Sequence, residues 1–242
     1  MNREYHKWYS PRLHRDMELL VFGHGGARVI VFPTRAGRFF DYENFGIIEG
    51  VRQKIDQGWV QLFCVDSIDA ESFYCRAAPP AHRIRRHVDY DAYLLYEVIP
   101  FTHSMNRNSC LIVHGCSMGA FHAVNFAFRH PDIVTKVLAC SGRYDLTAPI
   151  GDFCDLLDGY YDDLVYFNTP LHFVPSIRDE ALLHALRRIE IHLAVGYQDP
   201  FHVSNVAFSE RLHRLSIMHQ LHVWHGRAHK PDAWCHRVDL YL

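Results

Sequence analysis

Apolar residues along this chain fall into short runs separated by amphipathic stretches, and the two kinds alternate through most of its length. Residues 17–22 read as a strand, His24-Gly25-Gly26 as a turn, and residues 28–32 as a second strand, which predicts an opening hairpin. Residues 45–55 read as a helix with Ile47, Ile48, Val51 and Ile55 on one face. Further strands are predicted at 61–65, 110–114, 136–140, 189–195 and 221–224. Helices are predicted at 90–101, 118–129, 179–188, 203–218 and 232–240. Most strand runs are continuously apolar, as strands buried on both faces should be. The alternation predicts an α/β class, with a mostly parallel central sheet, helices on both faces and an antiparallel N-terminal hairpin. Residues 1–242 are read as one domain. The interval 144–178 is long for a plain connection and carries Phe153, Tyr160, Tyr161, Tyr166 and Phe167, so a cap or lid insertion is expected there. In such sheets ligands lie beyond the carboxyl ends of the strands. The residues following each strand therefore carry the candidate chemistry.

Composition narrows the partners. The formal net charge of -2 gives no reason to expect nucleic acid or an anionic membrane as main partner. No apolar run approaches the length of a bilayer span, and residues 1–8 lack a secretory apolar stretch. The seven cysteines are scattered, with Cys64, Cys110 and Cys140 inside or bordering apolar runs, which reads as free thiols in a reducing compartment, the cytoplasm by default. The 19 histidines include no paired-ligand spacing such as His-Glu-x-x-His, so no metal is expected. The basic run His82-Arg83-Ile84-Arg85-Arg86-His87 has no interleaved aromatics and is expected as a solvated loop. Homo-oligomerisation stays open.

Gly115-Cys116-Ser117-Met118-Gly119 follows a predicted strand and opens a predicted helix. That strand–turn–helix setting is the context of a nucleophile elbow, with Ser117 Oγ projecting above the sheet. A serine hydroxyl needs a base, and in this arrangement the order along the chain is serine, acid, histidine. His225 and His229 both follow the last strand, and His229, further out on the loop, is the expected base. Asp199, after the strand at 189–195, is the expected acid; Asp145, after the strand at 136–140, is its rival. The backbone N–H of Met118, at a helix N-terminus, can face an oxyanion, and the second donor is expected from the Arg35 N–H in the loop 33–37. The Arg35 side chain could also favour an anionic group. His24-Gly25-Gly26 looks like an oxyanion motif, but a hairpin turn there would lie away from the carboxyl edge.

These residues resemble the putative-esterase branch of the α/β-hydrolases, which includes esterase D, feruloyl esterases and the antigen 85 mycolyltransferases. The resemblance rests on Gly115–Gly119 with Ala120-Phe121-His122-Ala123, on Gly196-Tyr197-Gln198-Asp199, on His229 followed by Trp234, and on the Pro33-Thr34-Arg35 loop. It covers residues 15–66 and 110–242 best. It implies a serine esterase that needs no cofactor and whose expected partner is a small-molecule ester. An acyltransferase using the same three side chains is the alternative, and a silent hydrolase-fold binding protein is a third reading.

Overall fold

A computed structural model of the chain describes residues 1–226 and 229–242. Arg227 and Ala228, in the loop leading to His229, lie outside the described residues. The strands are β1 (Arg3–Ser10), β2 (Arg15–Phe22), β3 (Ala27–Phe32), β4 (Val60–Val65), β5 (Leu111–Cys116), β6 (Lys136–Cys140), β7 (Glu190–Gly196) and β8 (Gln220–Trp224). The helices are α1 (Asp41–Asn44), α2 (Ile47–Gly50), α3 (Arg52–Asp56), α4 (Pro80–Tyr93), α5 (Ile99–Met105), α6 (Met118–Arg129), α7 (Asp163–Phe167), α8 (Pro170–Phe173), α9 (Glu180–Leu186), α10 (His202–Arg214) and α11 (Pro231–Tyr241). The strands form one sheet in the order β1-β2-β4-β3-β5-β6-β7-β8. β2 runs antiparallel to β1 and to β4, and the remaining neighbours are parallel.

The strand period of two divides the core between the two faces. Ile30, Val113, Ala139 and Leu193 pack with Tyr90 of α4, Val124 of α6 and Phe208 of α10. Val31, Ile112, Leu138 and Ala194 pack with Tyr42 of α1, Ile48 of α2, Ile55 of α3 and Trp234 of α11. The α/β class and the mostly parallel sheet with helices on both faces are as expected. Among the described residues no helix is long and apolar enough to cross a membrane.

The N-terminal hairpin exists, but β1 and β2 form it, from Arg3 opposite Phe22 to Ser10 opposite Arg15. β1 is an edge strand whose Arg3, Tyr5, Lys7 and Tyr9 are exposed, so it offers no apolar run to read. β4 lies between β2 and β3, so His24-Gly25-Gly26 is not a hairpin turn but part of a crossover entering the amino end of β3. Gly26 sits at φ +83°, and a Cβ there would come within 2.2 Å of the Trp59 backbone.

Two further expectations are corrected. Residues 45–55 are not one helix: after α1 ends at Asn44, the stretch makes the short helices α2 and α3, set off by Gly46 with φ +75° and separated at Val51. Ile47, Ile48, Val51 and Ile55 are nonetheless all buried, so the face is right and its continuity is not. The basic run 82–87 is not a solvated loop. It lies in α4, which starts with Pro80 in its first turn, where proline's missing N–H costs nothing. Arg83 is only 1% exposed; it donates to Leu156 O at 2.8 Å and pairs with Asp158, anchoring the segment 144–178 to the body.

Candidate active site

Six parallel strands end along one edge, and the residues following them meet there. Ser117 follows β5 and precedes α6 with φ +59° and ψ -119°. A non-glycine residue in this region is strained, and the surroundings must hold it. Its N–H donates to Cys140 O at 2.8 Å. The two flanking glycines do not carry the positive φ; they permit close approach. A Cβ at Gly115 would meet Gly119 C at 2.2 Å, and a Cβ at Gly119 would meet Phe32 O at 2.4 Å. The elbow is thus pressed against the end of β3, and Ser117 takes the strain.

Ser117 Oγ lies 2.9 Å from His229 Nε2. His229 Nδ1 lies 3.2 and 3.3 Å from the two carboxylate oxygens of Asp199. With its proton on Nδ1, the imidazole donates to Asp199 and leaves Nε2 free to accept from the serine hydroxyl. Asp199 is 5% exposed, and its Oδ1 also accepts the Phe201 N–H at 2.9 Å, which fixes the carboxylate at the start of α10. The ring of His229 stands between Phe201, 5.2 Å between centroids, and Trp234, 5.1 Å and nearly perpendicular. Trp234 is held in turn by its Nε1 donating to Ser141 Oγ at 3.0 Å, just past the end of β6. A hydroxyl, an imidazole and a carboxylate in one hydrogen-bonded line can pass a proton from Oγ to Nε2.

The loop after β3 turns at Thr34–Gly37, closed by Gly37 N–H to Thr34 O at 2.9 Å, with Ala36 at φ +51°. Arg35 and Met118 both line the pocket above Ser117. Neither backbone N–H donates to any described residue. Composition and motif reading missed what holds this loop. Asp69 Oδ2 accepts the Ala36 N–H at 3.1 Å, and Asp69 Oδ1 lies 3.0 Å from His122 Nε2 on α6. Both side chains are buried, so the pair ties the loop carrying Arg35 to the helix carrying Met118. A histidine within the apolar run 118–124 was the available signal, because a buried imidazole needs a partner.

The rivals lie elsewhere. His225 is exposed, with its ring 6.2 Å from that of Tyr197. Asp145 accepts from Thr147 N–H at 2.9 Å, Thr147 Oγ1 at 2.8 Å and Ala148 N–H at 3.1 Å, and it pairs with His172 at 3.3 Å. Burial would raise its pKa, but the hydrogen bonds from His172 and Thr147 outweigh that and hold it well below the usual carboxylate range. A depressed folded-state value adds stability above the unfolded value of about 4, which is lost as pH falls toward the folded one. Asp145→Asn is therefore expected to cost about 1–3 kcal/mol at pH 7 and to leave ester turnover nearly unchanged. Denaturant unfolding at neutral pH and near pH 3 checks this: the gap between the two proteins should narrow in acid. An activity loss exceeding that of Asp199→Asn would instead make Asp145 the acid.

The pocket holds about 280 Å³ and is walled by aromatic groups from several elements, among them Phe45, Tyr74, Phe201 and Trp234. Burial pushes the Tyr74 hydroxyl up to about 12, so it is a neutral donor at neutral pH. From the segment 144–178, Phe153 reaches this pocket, 6.3 Å from the His229 ring and 4.8 Å from Phe201. Tyr160 instead bonds Asp162 at 2.8 Å, Tyr161 lies 2.9 Å from His172 Nδ1, and Tyr166 and Phe167 line a separate groove.

Residues 37–236 match the sequence model of the family described as "Putative esterase". No curated protein matches the chain. Among solved structures, a ferulic acid esterase is similar with a TM-score of 0.79 at 16% identity, over 100% of this chain and 96% of that one. The fluorophosphonate-binding serine hydrolase F of Staphylococcus aureus is similar with a TM-score of 0.77 at 16% identity, over 99% and 96%. An S-formylglutathione hydrolase from Agrobacterium tumefaciens gives 0.75 at 14% identity, over 99% and 92%. These likenesses show the α/β-hydrolase fold. With the family match spanning most of its length, the chain belongs to the esterase family and is an enzyme of the serine hydrolase, carboxylesterase type.

Proposed function

We propose that this enzyme hydrolyses a carboxylic ester through an acyl-enzyme, with Ser117 as nucleophile, His229 as general base and Asp199 as the acid that orients it. The observation that carries the reading is the 2.9 Å contact between Ser117 Oγ and His229 Nε2, with Asp199 behind the ring. His229 takes the hydroxyl proton as Oγ attacks the carbonyl carbon, and Asp199 stabilises the imidazolium. The N–H groups of Arg35 and Met118 receive the developing oxyanion. His229 then returns the proton to the leaving alcohol, and the ester C–O bond breaks. In the second half the same imidazole deprotonates water, which releases the acid and regenerates the serine. The seven free thiols support a reducing compartment, and we place the enzyme in the cytoplasm.

We read the segment 144–178 as a wall over the site, acting through Phe153. A pocket of about 280 Å³ suits a short acyl group. A p-nitrophenyl ester series from acetate to palmitate tests this. Turnover should be best at short chains, and Phe153→Ala should move the optimum to longer ones. Best turnover on palmitate would remove the short-acyl reading, and an unmoved optimum in Phe153→Ala would remove the wall. Product analysis with an added alcohol tests hydrolysis itself. Acyl transfer to the alcohol in strong preference to water would replace the hydrolase by an acyltransferase.

A further inference from the structure

Among the described residues, Arg143 is the one charged residue of the pocket wall that the reaction does not use and that is nearly shut away from solvent, at 3% exposure. It follows β6 and threads beneath the segment 144–178. Its Nε donates to Asp145 O at 2.9 Å, and its Nη2 to Leu146 O at 3.5 Å, Ala148 O at 2.8 Å and Cys154 O at 2.7 Å. All of these are neutral carbonyls. Arg143 lines the pocket, and its Nη1 group donates to no described residue, which leaves these hydrogens available to a ligand there.

The nearby acids are engaged elsewhere. Asp145 is occupied by Thr147, Ala148 and His172, and Asp155 accepts from Leu157 N–H at 2.7 Å and Gly159 N–H at 2.6 Å. Burial pulls the Arg143 guanidinium below its ordinary value, and Asp145 and Asp155 offset this only in part. A guanidinium nevertheless stays protonated, so the wall carries a buried cation without a paired anion. A second cation, exposed rather than buried, stands at the same wall: Arg35, with its guanidinium 5.7 Å from the Tyr74 ring centroid. No acidic side chain lines this pocket among the described residues. A buried charge without a partner is costly, and a ligand that supplies the opposite charge recovers that cost on binding.

We propose that the ester this enzyme takes carries a carboxylate, which binds between Arg143 Nη1 and the Arg35 guanidinium while the ester carbonyl lies over Ser117. This rests on the esterase reading and names its substrate class. The two cations set a requirement the aromatic walls do not, because charge-assisted hydrogen bonds are stronger than neutral ones. A neutral ester of the same shape leaves both cations facing water or nothing.

Two matched substrate pairs test it, because the carboxylate could sit on either side of the ester. On the acyl side the pair is mono-p-nitrophenyl glutarate and p-nitrophenyl valerate. On the alcohol side it is the butyrate esters of 4-hydroxybenzoate and of its methyl ester. The readout is the ratio of kcat/KM, anionic over neutral. In at least one pair the ratio should be about ten or more, the gain expected of a charged hydrogen bond. In Arg35→Gln and in Arg143→Gln that ratio should fall toward one. Arg143→Gln loses a brace on the segment 144–178; if it does not fold, the wild-type ratios and Arg35→Gln decide. Ratios near one in both pairs, or a high ratio untouched by the folded variants, overturn the proposal. Turnover of the neutral esters at such ratios would leave the esterase reading standing, whereas no turnover of any ester would count against that reading instead.

Discussion

Ser117→Ala is expected to lower ester turnover by about a million-fold, the scale on which losing a nucleophile of this kind acts. The protein should remain folded, because the elbow is set by backbone contacts that alanine keeps. The Ser117 N–H bond to Cys140 O and the close approach of Gly119 to Phe32 O do not involve the hydroxyl. Steady-state rates on p-nitrophenyl butyrate, with thermal unfolding as control, check both halves. Substantial turnover in a pure, folded Ser117→Ala protein would remove the serine from the mechanism.

His229→Ala should come close to the same loss, since Oγ without a base is a weak nucleophile. Asp199→Asn should cost about ten-thousand-fold: an amide behind Nδ1 favours the wrong tautomer and no longer stabilises the imidazolium. The Ser117→Ala/His229→Ala double variant should be scarcely worse than either single one, because the groups act as a unit. His225→Ala should be mild, as its side chain is exposed and outside the pocket wall. Equal damage from His225→Ala, or multiplicative losses in the double variant, would contradict the assignment.

The parts of the fold legible in the sequence are those where an apolar run meets clear punctuation. β6 and α6 fall on the residues that the pattern picks out, α6 because the turn at Ser117 precedes it and His130-Pro131 closes it. β1 was illegible because an edge strand with one exposed face carries no apolar run. The topology was illegible too: whether β3 pairs with β2 or with β4 depends on long-range packing, and the local turn residues at 24–26 fit either. The basic run failed for a different reason. Charge was read as exposure, yet Arg83 is buried because Asp158 and Leu156 O meet it from a distant segment. Pro80 at the helix start was a usable signal that the run was helical.

The site was legible to the extent that strand ends determine it. Ser117, Asp199 and His229 were named from their places after β5, β7 and β8, and their side chains lie in one hydrogen-bonded line. What shapes the pocket was not legible. Asp69 and Arg143 belong to no motif, His122 carried no role in its own, and each matters through partners far along the chain or through a carbonyl cage that only the folded segment creates. Phe153 likewise could not be told from its aromatic neighbours, since only the path of the segment decides which ring reaches His229.

The central claim is that Ser117 Oγ is an activated nucleophile facing an oxyanion site. The most direct measurement is the intact mass of the protein after brief exposure to a fluorophosphonate, with the modified residue mapped by peptide sequencing. The account predicts a single adduct on Ser117, formed rapidly in the wild type, lost in Ser117→Ala and greatly slowed in His229→Ala. No adduct on the folded wild-type protein, or an adduct that persists undiminished in Ser117→Ala, would contradict it.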